Sequence, residues 1–173
     1  LEKGAHVTYL EKHVGTGKGE GVRSIDPVTE MFLEEDAVMT MDTSQIGGVD
    51  KSLRKTSATL AAGAKLHIHE RILTEGEQQA RTEFEVRMNG AGSGTDLISR
   101  SVARGTGHSE CDAIVADHGA VDAAPELSAN DADAALIHEA AIGKIAGEQI
   151  IKLQTLGLTE QEAEARIIEG FLR

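Results

Sequence analysis

Two histidines one residue apart form the first candidate metal site in this chain. They lie in the segment His67-Ile68-His69-Glu70, and residues two apart in a β-strand share one face of the sheet. Both imidazoles can then contact the same metal ion, a role that histidine commonly fills. The competing interpretation is a histidine pair on the solvent face of a strand with no ligand, and the sequence alone favours it.

A second histidine-containing pair, His138-Glu139, ends the last strand-like run before the chain changes character. Imidazole and carboxylate groups are both reasonable ligands for iron or zinc. Adjacent strand residues point to opposite faces of a sheet, so at most one of the two is buried with the core. From these residues alone, a surface pair at a strand end is favoured over a metal site.

Cys111 is the only cysteine, which excludes a disulfide framework within the chain and a cysteine-rich zinc site. A lone cysteine is most often a small buried hydrophobic residue. To act as a nucleophile it would need an imidazole within hydrogen-bond reach. The low cysteine content favours a reducing compartment, and we expect a cytoplasmic location.

The composition excludes several classes of partner. The 173 residues carry 17 Lys and Arg against 29 Asp and Glu, a formal net charge of −12. Binding of nucleic acid or of an anionic membrane surface needs a basic face, so neither is expected. No apolar run approaches the roughly 20 residues of a membrane-spanning helix, and we expect no membrane insertion.

The elements that must position these residues are mostly short β-strands. From residue 1 to about residue 137, apolar and polar residues alternate in short runs separated by Gly, Asp, Asn and Ser. The run centres lie roughly 14 to 22 residues apart, which fits a β-sandwich or the coils of a parallel β-helix. Aromatic residues make up only 2% of the chain, and an aliphatic core suits flat stacked layers. The predicted inward residues are Val7, Tyr9, Ala37, Met39, Met41, Leu66, Ile68, Phe84, Val86, Met88, Ala113, Val115, Ala134 and Leu136.

The pattern becomes helical at residue 142. Apolar residues recur at helical spacing as far as Leu156, and Gly157 stands where a left-handed C-cap belongs. Thr159 and Glu162 form a capping box for a second helix. The apolar face of that helix carries Ala163, Ile167 and Phe171. The sequence therefore predicts two short helices joined by a tight turn after the β body.

The second half of the chain carries a series of short motifs in a fixed order. A Pro-x-Leu strand is followed by a His-Glu-Ala motif, a helix, a Gly-Leu-Thr turn with acidic residues, and a Gly-Phe ending. The residues are Pro125-Glu126-Leu127, His138-Glu139-Ala140, Gly157-Leu158-Thr159 and Gly170-Phe171, with Leu97-Ile98-Ser99-Arg100 upstream. This series closely resembles the C-terminal part of the SufB/SufD family, the scaffold subunits of the SUF iron–sulfur cluster assembly machine. The resemblance is weak before Leu60.

The resemblance implies a fold and a set of partners. The fold is a right-handed parallel β-helix over residues 1–141, followed by a C-terminal helical hairpin over residues 142–173. Members of the family pair through the end of the β-helix, as SufB–SufD heterodimers or as homodimers, and the sequence leaves both pairings open. Each member binds a SufC ATPase through the terminal helices. The scaffold receives sulfur from a donor protein and is not itself an enzyme.

The resemblance also implies a place at the pairing interface where iron or a transient iron–sulfur cluster is held. His138 and Glu139 fall on the family's His-Glu motif, whose glutamate is a SufB trait that SufD replaces by glycine. SufB carries an essential cysteine in the turn before the Pro-x-Leu strand. Here His118 stands in that place, and Cys111 lies earlier in the chain, out of alignment. The predicted metal site is therefore His118, His138 and Glu139, with no permanently bound cofactor.

Two other functions stay open on the sequence. A cupin-like metal-dependent enzyme would use His67 and His69, because cupins place a His-x-His pair on a strand. Purified protein that holds stoichiometric iron without a partner would favour that alternative. A passive β-helix interaction module would bind SufC but would be indifferent to changes at His138 and Glu139.

Overall fold

The computed structural model describes residues 1–15, 20–104, 108–111, 126–129, 135–144 and 147–171. The chain forms eleven strands and two helices within these ranges, and it is mainly β, as predicted. The bounds of the elements are β1 His6–His13, β2 Ser24–Ile25, β3 Val28–Leu33, β4 Val38–Ile46, β5 Lys51–Leu60, β6 Lys65–Glu75, β7 Gln79–Met88, β8 Gly94–Arg104, β9 His108–Cys111, β10 Glu126–Ala129, β11 Ala135–Lys144, α1 Gly147–Gln154 and α2 Glu160–Phe171.

The strands build two sheets in which every described pair is parallel. The first sheet has the order β1-β4-β6-β8-β11. In the second sheet β5 and β7 lie at the centre, with β2 and β3 on the outer side of β5 and with β9 and β10 on the outer side of β7. In the middle coils neighbouring strands are about 28 residues apart, as in the pair of Lys51 with Gln79, whereas the interval is longer before β11, where Ala135 pairs with Gly94. Each coil thus contributes to both sheets, and the chain forms a β-solenoid of about three turns.

This pairing decides between the two architectures that the run spacing allowed. A β-sandwich is built from antiparallel strands, whereas parallel strands stacked coil upon coil are the defining feature of a β-helix. The predicted parallel β-helix with C-terminal helices is therefore confirmed.

The interior between the two sheets has an apolar half. It is built by the first part of each strand in the first sheet and by the last part of each strand in the second sheet, because the chain reverses direction between them. Burial of these apolar side chains supplies the hydrophobic stabilisation of the solenoid. The core residues are Met31, Leu33, Ala37, Met39, Met41, Ala58, Leu60, Ala64, Leu66, Ile68, Phe84, Val86, Met88 and Leu97.

Most of the predicted inward residues are confirmed as core. Those between Ala37 and Met88 are all buried, whereas Val7 and Tyr9 on the end strand β1 are 43% and 40% exposed. Both pair with buried residues of β4, but no described strand covers the other edge of β1. Three further predicted residues lie outside the described ranges: Ala113, Val115 and Ala134.

The other half of the interior is mostly polar. The last part of each strand in the first sheet and the first part of each strand in the second sheet meet here, beside the turns that connect the sheets. We call this region the polar lane. Its buried polar residues are Thr43, Gln45, Ser52, Arg54, Thr56, Glu70, Thr74, Thr82, Ser99 and Ser101.

The turns at the apolar edge of the solenoid stack closely enough to require glycine at one position. A Cβ atom on Gly90 would lie 2.1 Å from the backbone nitrogen of Ala62 in the preceding coil. The two turns are held together beside it by a backbone hydrogen bond, which Asn89 donates to the carbonyl of Leu60 at 2.9 Å. Any side chain at position 90 therefore has to push the coils apart.

Replacing Gly90 by alanine is expected to lower the free energy of unfolding by about 1–3 kcal/mol, because the backbone must move to admit the methyl group. Gly170 provides the matched control: a Cβ there meets no atom within 4 Å. Alanine at that position in helix α2 is expected to be neutral or stabilising. Urea denaturation measures both effects, and equal stability of the two variants would contradict the close stacking of the turns.

The predicted helical hairpin is confirmed at its turn and cap. Helices α1 and α2 pack on each other, and Gly157 between them has a φ of 93°, the left-handed conformation of a C-cap. The carboxylate of Glu162 accepts 2.8 Å hydrogen bonds from the backbone N–H and from the hydroxyl of Thr159. Ala163 on α2 is fully buried. No helix in the described part of the chain is long and apolar enough to cross a membrane.

The start of the helical segment is not where the sequence places it. The predicted helical pattern from residue 142 is wrong for its first residues, because β11 continues to Lys144 and α1 begins at Gly147. Residues 142–144 pair with Ser101–Ala103 of β8, and this strand pairing outweighs the local helical spacing. The boundary between 1–141 and 142–173 therefore falls inside β11, and the division into two domains stays a prediction.

Candidate functional site

A network of charged and hydroxyl side chains is buried in the polar lane. Its centre is Glu70 on β6, whose side chain is 2% exposed. The carboxylate accepts hydrogen bonds from the hydroxyls of Thr82, at 3.0 Å, and Ser99, at 2.8 Å, and Nε of Arg54 lies 3.4 Å away. The strand register brings these residues together, because Glu70 pairs with Ser99 in one sheet and Arg54 pairs with Thr82 in the other.

Arg54 connects this buried centre to the end coil of the solenoid. Its Nη2 donates a 3.1 Å hydrogen bond to Oε1 of Glu11 on β1 and lies 3.2 Å from Nδ1 of His13. The side chains of Glu11 and His13 are 13% and 16% exposed, and Nε2 of His13 lies 2.5 Å from Oε1 of Glu11. A continuous chain of polar contacts thus runs from near the surface at β1 to Ser99 on β8.

The environment shifts the ionisation of the carboxyl groups in opposite directions. Burial raises the pKa of Glu70, although the hydroxyl of Ser99 and the charge of Arg54 oppose this shift. Burial also acts to raise the pKa of Glu11, but the hydrogen bond and charge of Arg54 outweigh it, so that its pKa is lowered. Burial lowers the pKa of His13. Burial thus opposes the ionisation of Glu70 and of His13, whereas Arg54 favours the ionised form of Glu11.

The predicted pair His138-Glu139 lies on β11, at the end of the first sheet. His138 is in register with Leu97, and Glu139 is in register with Ile98. The row that leads to His138 begins at Tyr9 and runs through Met41, Ile68 and Leu97. Tyr9 on the end strand is 40% exposed, and the other three are buried. The two residues therefore occupy strand positions on opposite faces of the sheet, as the sequence predicts.

The third predicted ligand, His118, lies outside the described residues, so the grouping of His118 with His138 and Glu139 stays a prediction. Cys111 ends β9, where it is in register with Thr82 of β7. Thr82 itself pairs with Arg54, so Cys111 belongs to the strand row that passes through the buried network.

The other predicted pair, His67 and His69, lies on β6 with both side chains partly exposed. Nδ1 of His67 is 3.8 Å from Oδ2 of Asp96 on the neighbouring strand. Within the described residues no three His, Cys, Asp or Glu side chains are grouped so as to hold a metal ion. A cupin is a closed double-sheet fold of antiparallel strands, whereas these histidines lie on a parallel solenoid. The cupin alternative thus has neither the fold nor the ligand set in the described part of the chain.

The described residues form parallel coils around a partly polar interior, followed by a helical hairpin. This architecture defines a β-solenoid protein. Comparison with known proteins identifies which kind. The profile of the family described as "SUF system FeS cluster assembly, SufBD core domain" matches residues 1–119 and 106–171. The chain therefore belongs to the SufBD family of iron–sulfur cluster assembly proteins.

Curated relatives carry the same family name. An iron–sulfur cluster assembly SufBD family protein of Methanothermobacter thermautotrophicus is 28% identical over 99% of this chain and 46% of its own length. Counterparts from Pyrococcus horikoshii and Archaeoglobus fulgidus are 29% and 37% identical, over 96% and 48% of the chain and over 55% and 27% of their own lengths. The chain thus spans about half the length of the curated relatives that match it most fully.

Sequence reasoning missed most of the buried network. In the sequence Glu70 stands out only as a neighbour of the histidine pair, and Arg54, Glu11 and His13 belong to no motif. The one available signal is that Glu70 follows Leu66 and Ile68 at every second position, which places it on the same face of the strand as these apolar residues. A charged residue in a strand normally points to solvent. Only the register of four strands shows that Arg54 and Glu70 face each other across the interior.

Proposed function

We propose that this chain is the core of a scaffold subunit of the SUF iron–sulfur cluster assembly complex. The observation that carries the proposal is the family profile, which matches from the first coil of the solenoid to the last helix. In this proposal the chain catalyses no reaction. Iron and sulfide are the cargo that it holds, the sulfur comes from a donor protein, and the work of conformational change belongs to a partner ATPase.

Pairing with a second scaffold subunit is proposed to occur at the β11 end of the solenoid. Strand β11 is the last strand of the first sheet, and among the described residues only its edge toward β8 is paired. An unpaired parallel edge presents backbone N–H and C=O groups to another chain. This supports an interface at β11 with a SufB or SufD paralogue or with a second copy of this chain.

The helical hairpin is proposed as the docking element for a SufC-type ATPase. Ile151 on α1 and Leu156 in the turn are 61% and 75% exposed, which leaves apolar surface for a partner. Glu160 and Glu162 are also exposed on this hairpin, and an acidic rim suits a basic partner surface. Buried apolar anchors inside a charged rim are the usual anatomy of a specific protein interface.

Replacing Ile151 and Leu156 together by aspartate is expected to abolish co-purification with the SufC-type ATPase of the same organism, because charged side chains cannot enter an apolar interface. Leu10→Asp is the matched control, since Leu10 is 74% exposed but lies on β1. Calorimetric titration with the purified ATPase, together with circular dichroism to verify the fold, measures the effect. Unchanged binding by the double variant, or by a chain that lacks the hairpin, would refute the proposal that the hairpin is the docking element.

The cargo site is proposed to involve His118, His138 and Glu139. Supporting this, the family motif that contains His138 and Glu139 lies on β11, the same strand that offers the free edge for pairing. A histidine and a carboxylate suit iron, whereas a finished cluster is normally held by thiolates. Further sulfur ligands would therefore come from sulfide, a partner or a small thiol, and the cluster would be held only transiently.

A further inference from the structure

Four polar side-chain atoms in the polar lane have no hydrogen-bond partner among the described residues. They are Oγ1 of Thr43, Nη1 of Arg54, Oγ1 of Thr56 and Oγ of Ser101. All four residues are at most 4% exposed. An unpaired buried polar atom is costly, and proteins rarely leave several of them together. Their concentration on one side of the interior therefore indicates that the polar lane holds hydrogen-bonding ligands.

The unpaired atoms lie on both sheets of the solenoid, with Thr43 and Ser101 on strands of the first sheet and Arg54 and Thr56 on β5 of the second. Thr43 pairs with Glu11 in the preceding coil and with Glu70 in the following coil, so its hydroxyl stands between two carboxyl groups. Thr56 lies two residues after Arg54 on β5, and both are buried in the polar lane. Arg54 contacts both of these carboxyl groups, Glu11 at 3.1 Å and Glu70 at 3.4 Å, so its unpaired Nη1 and the unpaired hydroxyl of Thr43 lie in the same part of the interior.

The charges of the lane select the kind of ligand. Arg54 is the only cation of the buried network described above, and it is already matched by Glu11 at 3.1 Å and by Glu70 at 3.4 Å. No positive charge is left over to hold an anion, and the described residues offer no group of three metal ligands. A small neutral molecule that both donates and accepts hydrogen bonds is the ligand that fits these atoms.

We propose that the polar lane binds ordered water molecules between its two sheets. The waters bridge the hydroxyls of Thr43 and Thr56 to Nη1 of Arg54 and to the carboxyl groups beside them. A cavity of about 570 Å3 borders the lane, and its lining includes the buried residues Ser52 and Ala80. Water in this cavity can contact the lane at Ser52, and buried water that satisfies otherwise unpaired groups is an integral part of protein interiors.

Replacing one buried threonine by valine distinguishes a hydrated lane from a dry one. Thr56→Val keeps the shape of the side chain but removes the hydroxyl. If the hydroxyl binds water, this variant is expected to melt about 2–4 °C below its control, because a satisfied hydrogen bond is lost. If the lane is dry, the variant melts above the control, because an unpaired polar group has been removed. The control is Thr59→Val, because Thr59 lies on the same strand β5 but at a partly exposed position outside the polar lane.

A second measurement keeps the proposal testable if the valine variant does not fold. A crystal structure of the unmodified chain at atomic resolution is expected to show water within hydrogen-bond distance of Thr43, Thr56 and Nη1 of Arg54. A lane whose hydroxyls contact only protein atoms, or density there that refines as a metal or a halide ion, would overturn the proposal. Neither measurement depends on cluster assembly, so the lane can be hydrated whether or not the proposed scaffold function holds.

Discussion

Replacing Arg54 by methionine is expected to lower the free energy of unfolding by about 3–5 kcal/mol, because removing one partner of a buried ion pair leaves the other charge uncompensated. Arg54 is 5% exposed and is the cation that faces both Glu11 and Glu70. Methionine preserves much of the side-chain volume, so the loss reports on charge rather than on a cavity. Urea denaturation at neutral pH, with a two-state fit, measures the change.

Two further variants separate the charge effect from general disruption. Adding Glu70→Gln to Arg54→Met removes one of the stranded charges, and the double variant is expected to be more stable than Arg54→Met alone. Arg87→Met is the matched surface control. Arg87 lies on β7, forms an ion pair with Glu85 and is 58% exposed. Its loss is expected to lower the free energy of unfolding by no more than about 1 kcal/mol. If Arg54→Met costs no more than Arg87→Met, the buried network does not stabilise the fold.

The positions of the strands can be predicted from the sequence, but the way they pair cannot. Alternating residues such as Met39 and Met41, followed by Gly47 and Gly48, indicate a strand and its end. The same pattern serves antiparallel and parallel sheets equally well, because a side chain alternates between faces in both. Only the motif resemblance pointed to the parallel β-helix, and the register of coil on coil confirms it.

The polar half of the interior was harder to predict than the apolar core. On β5 the inward set includes Ser52, Arg54 and Thr56, while Leu53 is only half buried. Local hydrophobicity would turn Leu53 inward and Arg54 outward, and a shift by one residue exchanges the two faces. The actual register is fixed by Ala58 and Leu60 in the second half of the strand, whose burial in the apolar core carries the polar residues inward with them.

The metal site was predicted from a motif order and not from geometry, and its members differ in how far the fold supports them. His138 and Glu139 lie on the last strand of the first sheet. The sequence predicts that this strand ends at the pair, whereas β11 continues to Lys144. Their positions on opposite faces follow from strand geometry alone. His138 continues the row of the buried residues Met41, Ile68 and Leu97, and Glu139 continues the row of the half-buried residues His69 and Ile98. A joint site would therefore require β11 to lie at an interface.

Replacing His138 by alanine and Glu139 by glutamine together is expected to reduce the iron retained by the assembled complex about tenfold, because two of the three proposed ligands are lost. The complex is the chain co-purified with its ATPase and its pairing subunit after anaerobic iron and sulfide loading. Iron is measured by elemental analysis and the cluster by its visible absorption.

His67→Ala combined with His69→Ala is the matched control for that experiment. These histidines lie on β6 of the same sheet, and their loss is expected to leave the iron content unchanged. Size-exclusion chromatography of both double variants verifies that pairing and ATPase binding persist, so that a loss of iron is not a loss of the complex. Iron content that is unaltered by the change at His138 and Glu139, or that falls only when His67 and His69 are removed, would contradict the proposed cargo site. The first of these outcomes would leave a scaffold that binds its ATPase without holding iron on β11, and the second would move the metal to the outer face of the sheet.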